Sequence, residues 1–137
     1  MVKTPIITNP KKLNFELYAG TSGRKLAYQS TYEYAMYHIV GHVLFFIINW
    51  RGKISEDGEK AYLRSEVFTA HPPTYASAFT ICDAINIFVD KTAHLSGLID
   101  PSGIISFEYN YGAEIANWDS RSNDAQYLKI SGFYMFE

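Results

Sequence analysis

Hydrophobic and polar residues alternate with a period of two along most of the chain, which is typical of β-strands that bury one face. The clearest alternation covers 32–40, where every second residue from Tyr32 to Val40 lies on the same face. In the next segment, 42–50, both the odd-numbered and the even-numbered positions are mostly apolar. The segment is therefore predicted to be a strand covered on both faces, either inside a sandwich or by a neighbouring subunit. Further strands are predicted at 12–18, 60–69, 78–82, 84–89 and 125–137, the last interrupted at Ser131-Gly132.

Glycine and proline residues predict where the strands end. Glu56-Asp57-Gly58-Glu59 is predicted to be a turn, because glycine readily adopts the positive φ of tight turns. His71-Pro72-Pro73 is predicted to be an extended crossing, since neither proline can donate a ladder hydrogen bond. A hairpin is predicted over 98–110 with its turn at Asp100-Pro101-Ser102-Gly103. The polar segment 112–124 lacks alternation and is predicted to be a loop.

These elements predict an all-β fold, an antiparallel β-sandwich or barrel of about eight strands. A length of 137 residues is typical of one domain, so residues 1–137 are interpreted as a single β-sandwich domain. Residues 1–11, which contain Pro5 and Pro10, are interpreted as an N-terminal arm.

Composition narrows the function classes. The 12 Lys and Arg nearly balance the 14 Asp and Glu, so the net charge of −2 predicts no nucleic-acid partner. Cys82 is the only cysteine, which excludes an intrachain disulfide and a cysteine-based zinc site. The longest apolar run, Val43 to Ile48, is too short to span a bilayer, and the N-terminus lacks the apolar stretch of a signal peptide. We therefore expect a protein that folds in a reducing cytoplasm without membrane insertion.

Catalytic motifs are absent from the sequence. It contains no nucleophile elbow, phosphate loop or HExxH motif, so we expect neither an enzyme nor a bound cofactor. His38 and His42 flank a glycine, but this spacing on strands does not bring two metal ligands together, and no metal site is predicted.

The segment 109–123 is the strongest candidate for a binding site, because it combines aromatic residues with planar polar ones. A sugar presents an apolar C–H face and a rim of hydroxyls, which an aromatic ring and neighbouring amide or charged groups can hold. Trp118 is predicted to be the aromatic plate. The polar contacts are assigned to Asn117, Asp119 and Arg121, and Tyr111 completes the saccharide-binding set. The alternative is that Trp118 folds back into the core and the polar residues only solvate a loop.

Several landmarks follow one another in a characteristic order. A strand ending in glycine at 13–20 precedes a strand that runs into a glycine and a very apolar strand, together spanning 37–45. A proline-containing segment follows at 71–75. The hairpin reads Ile99-Asp100-Pro101-Ser102-Gly103-Ile104-Ile105, and the final strand reads Ile130-Ser131-Gly132-Phe133-Tyr134. Over almost its whole length the chain resembles the C-terminal head domain of bacteriophage tail-fibre and baseplate receptor-binding proteins. It departs from them in lacking a Leu-Pro dipeptide and a shaft before the domain, which leaves its position in the virion open.

The resemblance implies a homotrimer whose apolar strand faces meet around a threefold axis. The residues assigned to this trimer interface are Phe45, Phe46, Ile47 and Ile48, with an ordinary monomeric core as the alternative. The resemblance also implies a virion protein, assembled in the host cytoplasm, that binds a host cell-surface glycan and contacts other phage tail or baseplate proteins. The alternatives are a structural adaptor or decoration protein without receptor binding and, less favoured, a polysaccharide-degrading enzyme that uses paired carboxylates.

Overall fold

The structure, a computed structural model, describes residues 9–20, 23–56, 60–89, 95–109, 114–121 and 124–137. These residues form eleven strands and one short helix. The strands are β1 (Lys11–Lys12), β2 (Glu16–Ala19), β3 (Arg24–Lys25), β4 (Tyr28–Val40), β5 (Val43–Ile54), β6 (Ala61–Arg64), β7 (Ser77–Ile85), β8 (Leu95–Ile99), β9 (Ile105–Tyr109), β10 (Glu114–Ile115) and β11 (Gln126–Met135), and the helix is α1 (Glu66–Ala70).

All strand pairs in the described residues are antiparallel, which confirms the all-β prediction. The strands follow the order β1-β4-β5-β11-β7-β8-β9-β6-β2-β3, and β10 pairs with β9. The sheet curls into a half-barrel. The predicted number of about eight strands is not confirmed, because the described residues contain eleven, of which β1, β3 and β10 have two residues each.

Strand β7 joins two parts of the sheet, one formed by β1, β4, β5 and β11 and the other by β8, β9, β6, β2 and β3. Its first residues, Ser77 to Phe79, pair with β8, and its later residues pair with β11. The register between β7 and β11 shifts within the later residues: Ile130 lies opposite Ile81, whereas Lys129 lies opposite Asp83. Cys82 is the extra residue of this β-bulge, and such bulges bend the strand that carries them. The two predicted strands at 78–82 and 84–89 are therefore one bent strand followed by a bridge at Phe88.

The long hairpin of β4 and β5 shows how the sequence selects its faces. On β5 the even-numbered residues Leu44, Phe46, Ile48 and Trp50 are buried, whereas Phe45 and Ile47 remain exposed. Burial of an aliphatic or aromatic side chain contributes roughly 1.5–3 kcal/mol, so the even-numbered set fixes the register of the hairpin. Within one chain, the predicted burial of both faces of this strand is not observed.

The inner face of the half-barrel is filled by two aromatic clusters. Phe46, Phe68 and Tyr134 pack edge to face, with ring centroids 5.1 and 6.1 Å apart. Phe107 and Trp118 form an edge contact at 5.8 Å, and Phe88 stacks on Trp118 at 5.2 Å. Edge-to-face and offset geometries are those that aromatic quadrupoles prefer.

The predicted strand at 60–69 is only half correct, because β6 ends at Arg64 and helix α1 follows. Ser65 caps this helix, since its hydroxyl accepts a hydrogen bond from the Val67 N–H at 3.2 Å. The helix places Phe68 in the core, where the side chain is fully buried. A single turn carries one buried residue, too short a stretch to produce a helical stripe in the sequence.

Of the remaining predictions, the structure confirms some and contradicts others. The hairpin turn at Asp100 to Gly103 is confirmed: Gly103 N–H donates to the Asp100 carbonyl at 2.8 Å, and Gly103 has a φ of +81°. Strand β11 runs through Ser131 and Gly132 without the predicted interruption. The segment predicted as a loop contains β10 and a bridge from Trp118 to Phe88. Residues 57–59 of the predicted turn, and 1–8 of the predicted arm, lie outside the described residues.

Candidate binding surface

Trp118, the predicted aromatic plate, lies in the core. Its side chain is fully buried, and its indole N–H donates a hydrogen bond to the Tyr18 carbonyl at 2.8 Å. The isolated bridge to Phe88 holds the backbone of Trp118 against the sheet. A ring without exposed surface cannot stack on a sugar, so the assignment of Trp118 to saccharide binding is corrected to a core residue.

The polar residues of the predicted loop site are engaged with one another and with the backbone. The side-chain oxygen of Asn117 accepts a hydrogen bond from the Lys60 N–H at 2.9 Å. The Asp119 carboxylate accepts from the backbone N–H of Arg121 at 2.8 Å and from its Nε at 3.0 Å. These bonds hold the pKa of Asp119 below its usual value, with the Arg121 side chain as the main cause. With Trp118 in the core, the described part of the loop keeps its polar groups without the predicted aromatic plate. Tyr111 lies outside the described residues.

The four residues assigned to the trimer interface divide between the two faces of β5. Phe46 and Ile48 are buried inside the half-barrel, at 4% and 0% exposure, so their assignment to an interface between subunits is corrected to the core. Phe45 and Ile47 lie on the outer face, at 36% and 42% exposure. Consecutive strand residues point to opposite faces, which is why a run of four cannot face one partner.

The outer face of β4, β5 and β11 carries most of the large hydrophobic side chains that are exposed in the described residues. We call it the apolar face, and it consists of Tyr34, Met36, Phe45, Ile47, Phe133 and Met135. Phe133 and Met135 are exposed at 62% and 64%, and Phe45 contacts Phe133 with ring centroids 5.6 Å apart. Beside these side chains lies a groove of about 1000 Å³, which Tyr75 and Pro10 also line.

The other end of the same outer face is aromatic and polar. Arg51 on β5 lies directly between Tyr32 on β4 and Tyr127 on β11. The Arg51 guanidinium lies over the Tyr127 ring, 5.1 Å from its centroid. A second groove of about 850 Å³ surrounds this row, and we call it the tyrosine–arginine groove.

The hydrophobic alternation in the sequence predicts part of the outer face of β4, β5 and β11. The alternation on β4 placed Tyr32, Tyr34 and Met36 on one face, and the structure confirms that they share it. The sequence does not predict that Phe133 and Met135 join this face, because the predicted break at Ser131-Gly132 hides the continuous strand that brings them beside β5. Which strands are neighbours is set by pairings distant in sequence, which local alternation does not show.

The three histidines in the described residues contact aromatic rings rather than a shared metal site, and His94 lies outside the described residues. His38 stacks on Phe45 with ring centroids 5.1 Å apart, whereas His42 and His71 contact Phe136 at 6.2 and 5.0 Å. Within the described residues, no group of three or more histidine, cysteine, aspartate or glutamate side chains is placed to hold a metal ion. No helix in this part of the chain has the length and apolar character needed to traverse a bilayer.

The outer sheet face thus carries two neighbouring grooves, one lined mainly by apolar side chains and the other by tyrosine and cationic side chains. No protein-family model matches the chain, and the search of curated proteins found no significant match.

Proposed function

We propose that this chain is a non-catalytic binding module of a bacteriophage tail tip or baseplate, which assembles as a homotrimer and attaches to a saccharide on the host cell surface. The observation that carries the proposal is the apolar face. Four of its side chains, Phe45, Ile47, Phe133 and Met135, are between 36% and 64% exposed in the single chain. Contiguous apolar surfaces of this kind usually mark an interaction site.

The layout of the apolar face on three neighbouring strands favours further copies of the same chain as its partner. Phe133 and Met135 on β11 and Tyr34 on β4 line opposite sides of the groove of about 1000 Å³, with β5 between them. Cyclic trimers use a head-to-tail contact in which one patch of a subunit meets a different patch of the next. Contact of the β11 side of one subunit with the β4 side of the next satisfies this requirement and would cover Phe45 and Ile47.

Saccharide binding is supported by the aromatic and polar end of the same sheet face rather than by the loop around Trp118. Tyr32 is 51% exposed, and Tyr127 and Asn49 line the same groove. Exposed tyrosine rings beside an amide supply the apolar and hydrogen-bonding contacts that a sugar ring needs.

The first experiment is the molar mass of the purified chain by light scattering at several concentrations. The proposal expects a trimer near three times 15.6 kDa. Replacement of both Phe45 and Phe133 by serine should dissociate it, because both residues lie on the apolar face. Ile85→Ser is the matched control, since Ile85 is 43% exposed on the same sheet but does not line the groove. A wild-type chain that stays monomeric throughout would contradict the trimer.

The second experiment tests attachment. Fluorescently labelled protein is incubated with a panel of bacterial strains before and after periodate oxidation of their surface glycans. The proposal expects binding to at least one strain, with loss of binding after oxidation. Binding that survives oxidation would exclude a saccharide with oxidisable diols as the receptor and contradict this part of the proposal.

The structural adaptor remains the second candidate, and one observation favours it. Within the described residues β1 pairs with β4 only at Tyr37 and Met36, so the edge of β4 from Tyr28 to Tyr34 has no strand partner. An open edge can accept a strand from another protein. Capture of a phage tail protein that is abolished by Thr31→Pro, together with no binding to cells, would favour the adaptor over receptor binding.

A further inference from the structure

The tyrosine–arginine groove differs in charge from the rest of the chain. Three cationic side chains line it, Arg51, Lys53 and Lys129, against one carboxylate, Asp124. The chain as a whole has a net charge of −2, so this excess of positive charge is local. Local charge of one sign inside a recess raises the concentration of ligands of the opposite sign.

Two of these cations are available to a ligand. Among the residues that the structure describes, Arg51 and Lys53 have no carboxylate within 4.0 Å, although the Lys53 charge contributes a small part of the lowering of the Asp119 pKa. Lys129 lies 3.9 Å from Asp83, and both side chains are nearly half exposed, so this contact is weak. An anion that enters the groove therefore displaces no strong ion pair at Arg51 or Lys53.

The aromatic residues orient the central cation. The Arg51 guanidinium rests on the face of Tyr127, 5.1 Å from the ring centroid, which leaves the N–H groups at its edge for an anion. On the other side of Arg51, Tyr32 is 51% exposed and presents an apolar ring to the same recess. The groove of about 850 Å³ falls within the size range of small-molecule sites.

We propose that the tyrosine–arginine groove binds a saccharide that carries a negatively charged group, either phosphate or carboxylate. Tyr32 packs against the C–H face of a sugar ring, and Arg51 and Lys53 bind the charged group. Guanidinium suits this role because its planar N–H pairs match the oxygen atoms of phosphate and carboxylate. This inference rests on the proposed function for the saccharide and adds the charge of the ligand and the location of the site.

The test is titration calorimetry of the full chain with three probes of similar length. These are maltohexaose 1-phosphate for phosphate, oligogalacturonate for carboxylate and maltohexaose as the neutral probe. We expect at least one anionic probe to bind more tightly than maltohexaose, with affinity that falls as salt is added. Comparison of the two anionic probes distinguishes phosphate from carboxylate.

Variants locate the site. Arg51→Gln should weaken binding of the preferred anionic probe roughly ten- to a hundredfold, the range expected when charge-assisted hydrogen bonds are lost. Arg51→Lys should retain part of the affinity, and Tyr32→Ala should weaken binding even where the charge is kept. Lys12→Gln is the matched control, because it removes one exposed positive charge from the same sheet away from the groove. Unchanged melting temperatures for all variants would show that they fold.

Failure of the inference differs from failure of the proposed function. If Arg51→Gln leaves affinity unchanged, or if maltohexaose binds as tightly as the anionic probes, the inference is wrong. Tighter binding of a single-stranded oligonucleotide than of any saccharide would overturn it in favour of nucleic acid. In each case, periodate-sensitive binding to cells would still support the proposed function, whereas loss of cell binding by Arg51→Gln supports both.

Discussion

Gly97 lies directly opposite Phe79 in the pairing of β7 with β8, and the phenyl ring covers the place where a side chain at Gly97 would stand. A Cβ atom added to Gly97 would overlap the ring of Phe79. The same ring contacts Phe107 and Phe46 edge to face, with centroids 5.9 and 6.1 Å away. The missing side chain at Gly97 thus allows the Phe79 ring to lie over β8, where β7 pairs with it.

We expect Gly97→Ala to lower the free energy of unfolding by roughly 1–3 kcal/mol, because the methyl group forces Phe79 out of its position. Urea denaturation measures this change. Phe79→Leu in the same chain should recover part of the loss, since the smaller side chain vacates the space. A double variant whose loss equals the sum of the two single losses would show that the residues do not interact.

Gln126 is the fully buried polar side chain at the start of β11. Its oxygen accepts from the Ile54 N–H at 2.6 Å, and its nitrogen donates to the Asn86 carbonyl at 2.7 Å and to the Asp119 carbonyl. Gln126→Leu leaves the buried Ile54 N–H without a partner and removes the two part-buried bonds to Asn86 and Asp119, so we expect a loss of about 2–3 kcal/mol in the free energy of unfolding. The exposed Gln29→Leu is the control and should change it by no more than about 0.5 kcal/mol.

Trp118→Phe tests whether Trp118 acts in the core or in binding. We expect a loss of roughly 2–3 kcal/mol in the free energy of unfolding, because the variant leaves a cavity and removes the hydrogen bond to Tyr18. Saccharide and cell binding per folded molecule should stay at the wild-type level. Reduced binding without reduced stability would return Trp118 to the binding site.

The contact of Asp119 with Arg121 predicts a pH-dependent stability. The pKa of Asp119 is lower in the folded chain than its ordinary value, so its contribution is complete above the unfolded pKa of about 3.9 and is lost as the pH falls through the lower folded value. The difference in unfolding free energy between wild type and Asp119→Asn should therefore be constant near neutral pH and shrink below about pH 4. Asp83→Asn, whose partner Lys129 is 3.9 Å away, should differ little from wild type at neutral pH. A wild-type advantage over Asp119→Asn that grows in acid would contradict the assignment.

Much of the fold could be predicted from local alternation and turn residues. The strands around 32–40 and 42–50 and the hairpin turn at Asp100 to Gly103 follow from such signals, and the structure contains them. Helix α1 could not be predicted, because its single turn depends on the Ser65 cap and on the pocket that accepts Phe68. The helix therefore depends on tertiary contacts, which local sequence patterns do not show.

The candidate site was harder to predict than the fold. Trp118 stands in a polar segment, and its burial depends on Phe88 and Phe107, which local sequence does not place beside it. Arg51 showed no signal of its own, since its role arises from the pairing of β5 with both β4 and β11. Residues distant in sequence form the tyrosine–arginine groove, so only the strand order identifies it.

The position of β11 has a consequence for synthesis of the protein. This strand comes after all the others in the sequence yet lies between β5 and β7. As long as the nascent chain has left the ribosome only up to residue 125, β5 and β7 each lack a neighbour on one side, and the core beneath them lacks Leu128, Ile130 and Tyr134. The nascent chain therefore presents two open strand edges until β11 inserts, and during this interval it is exposed to aggregation.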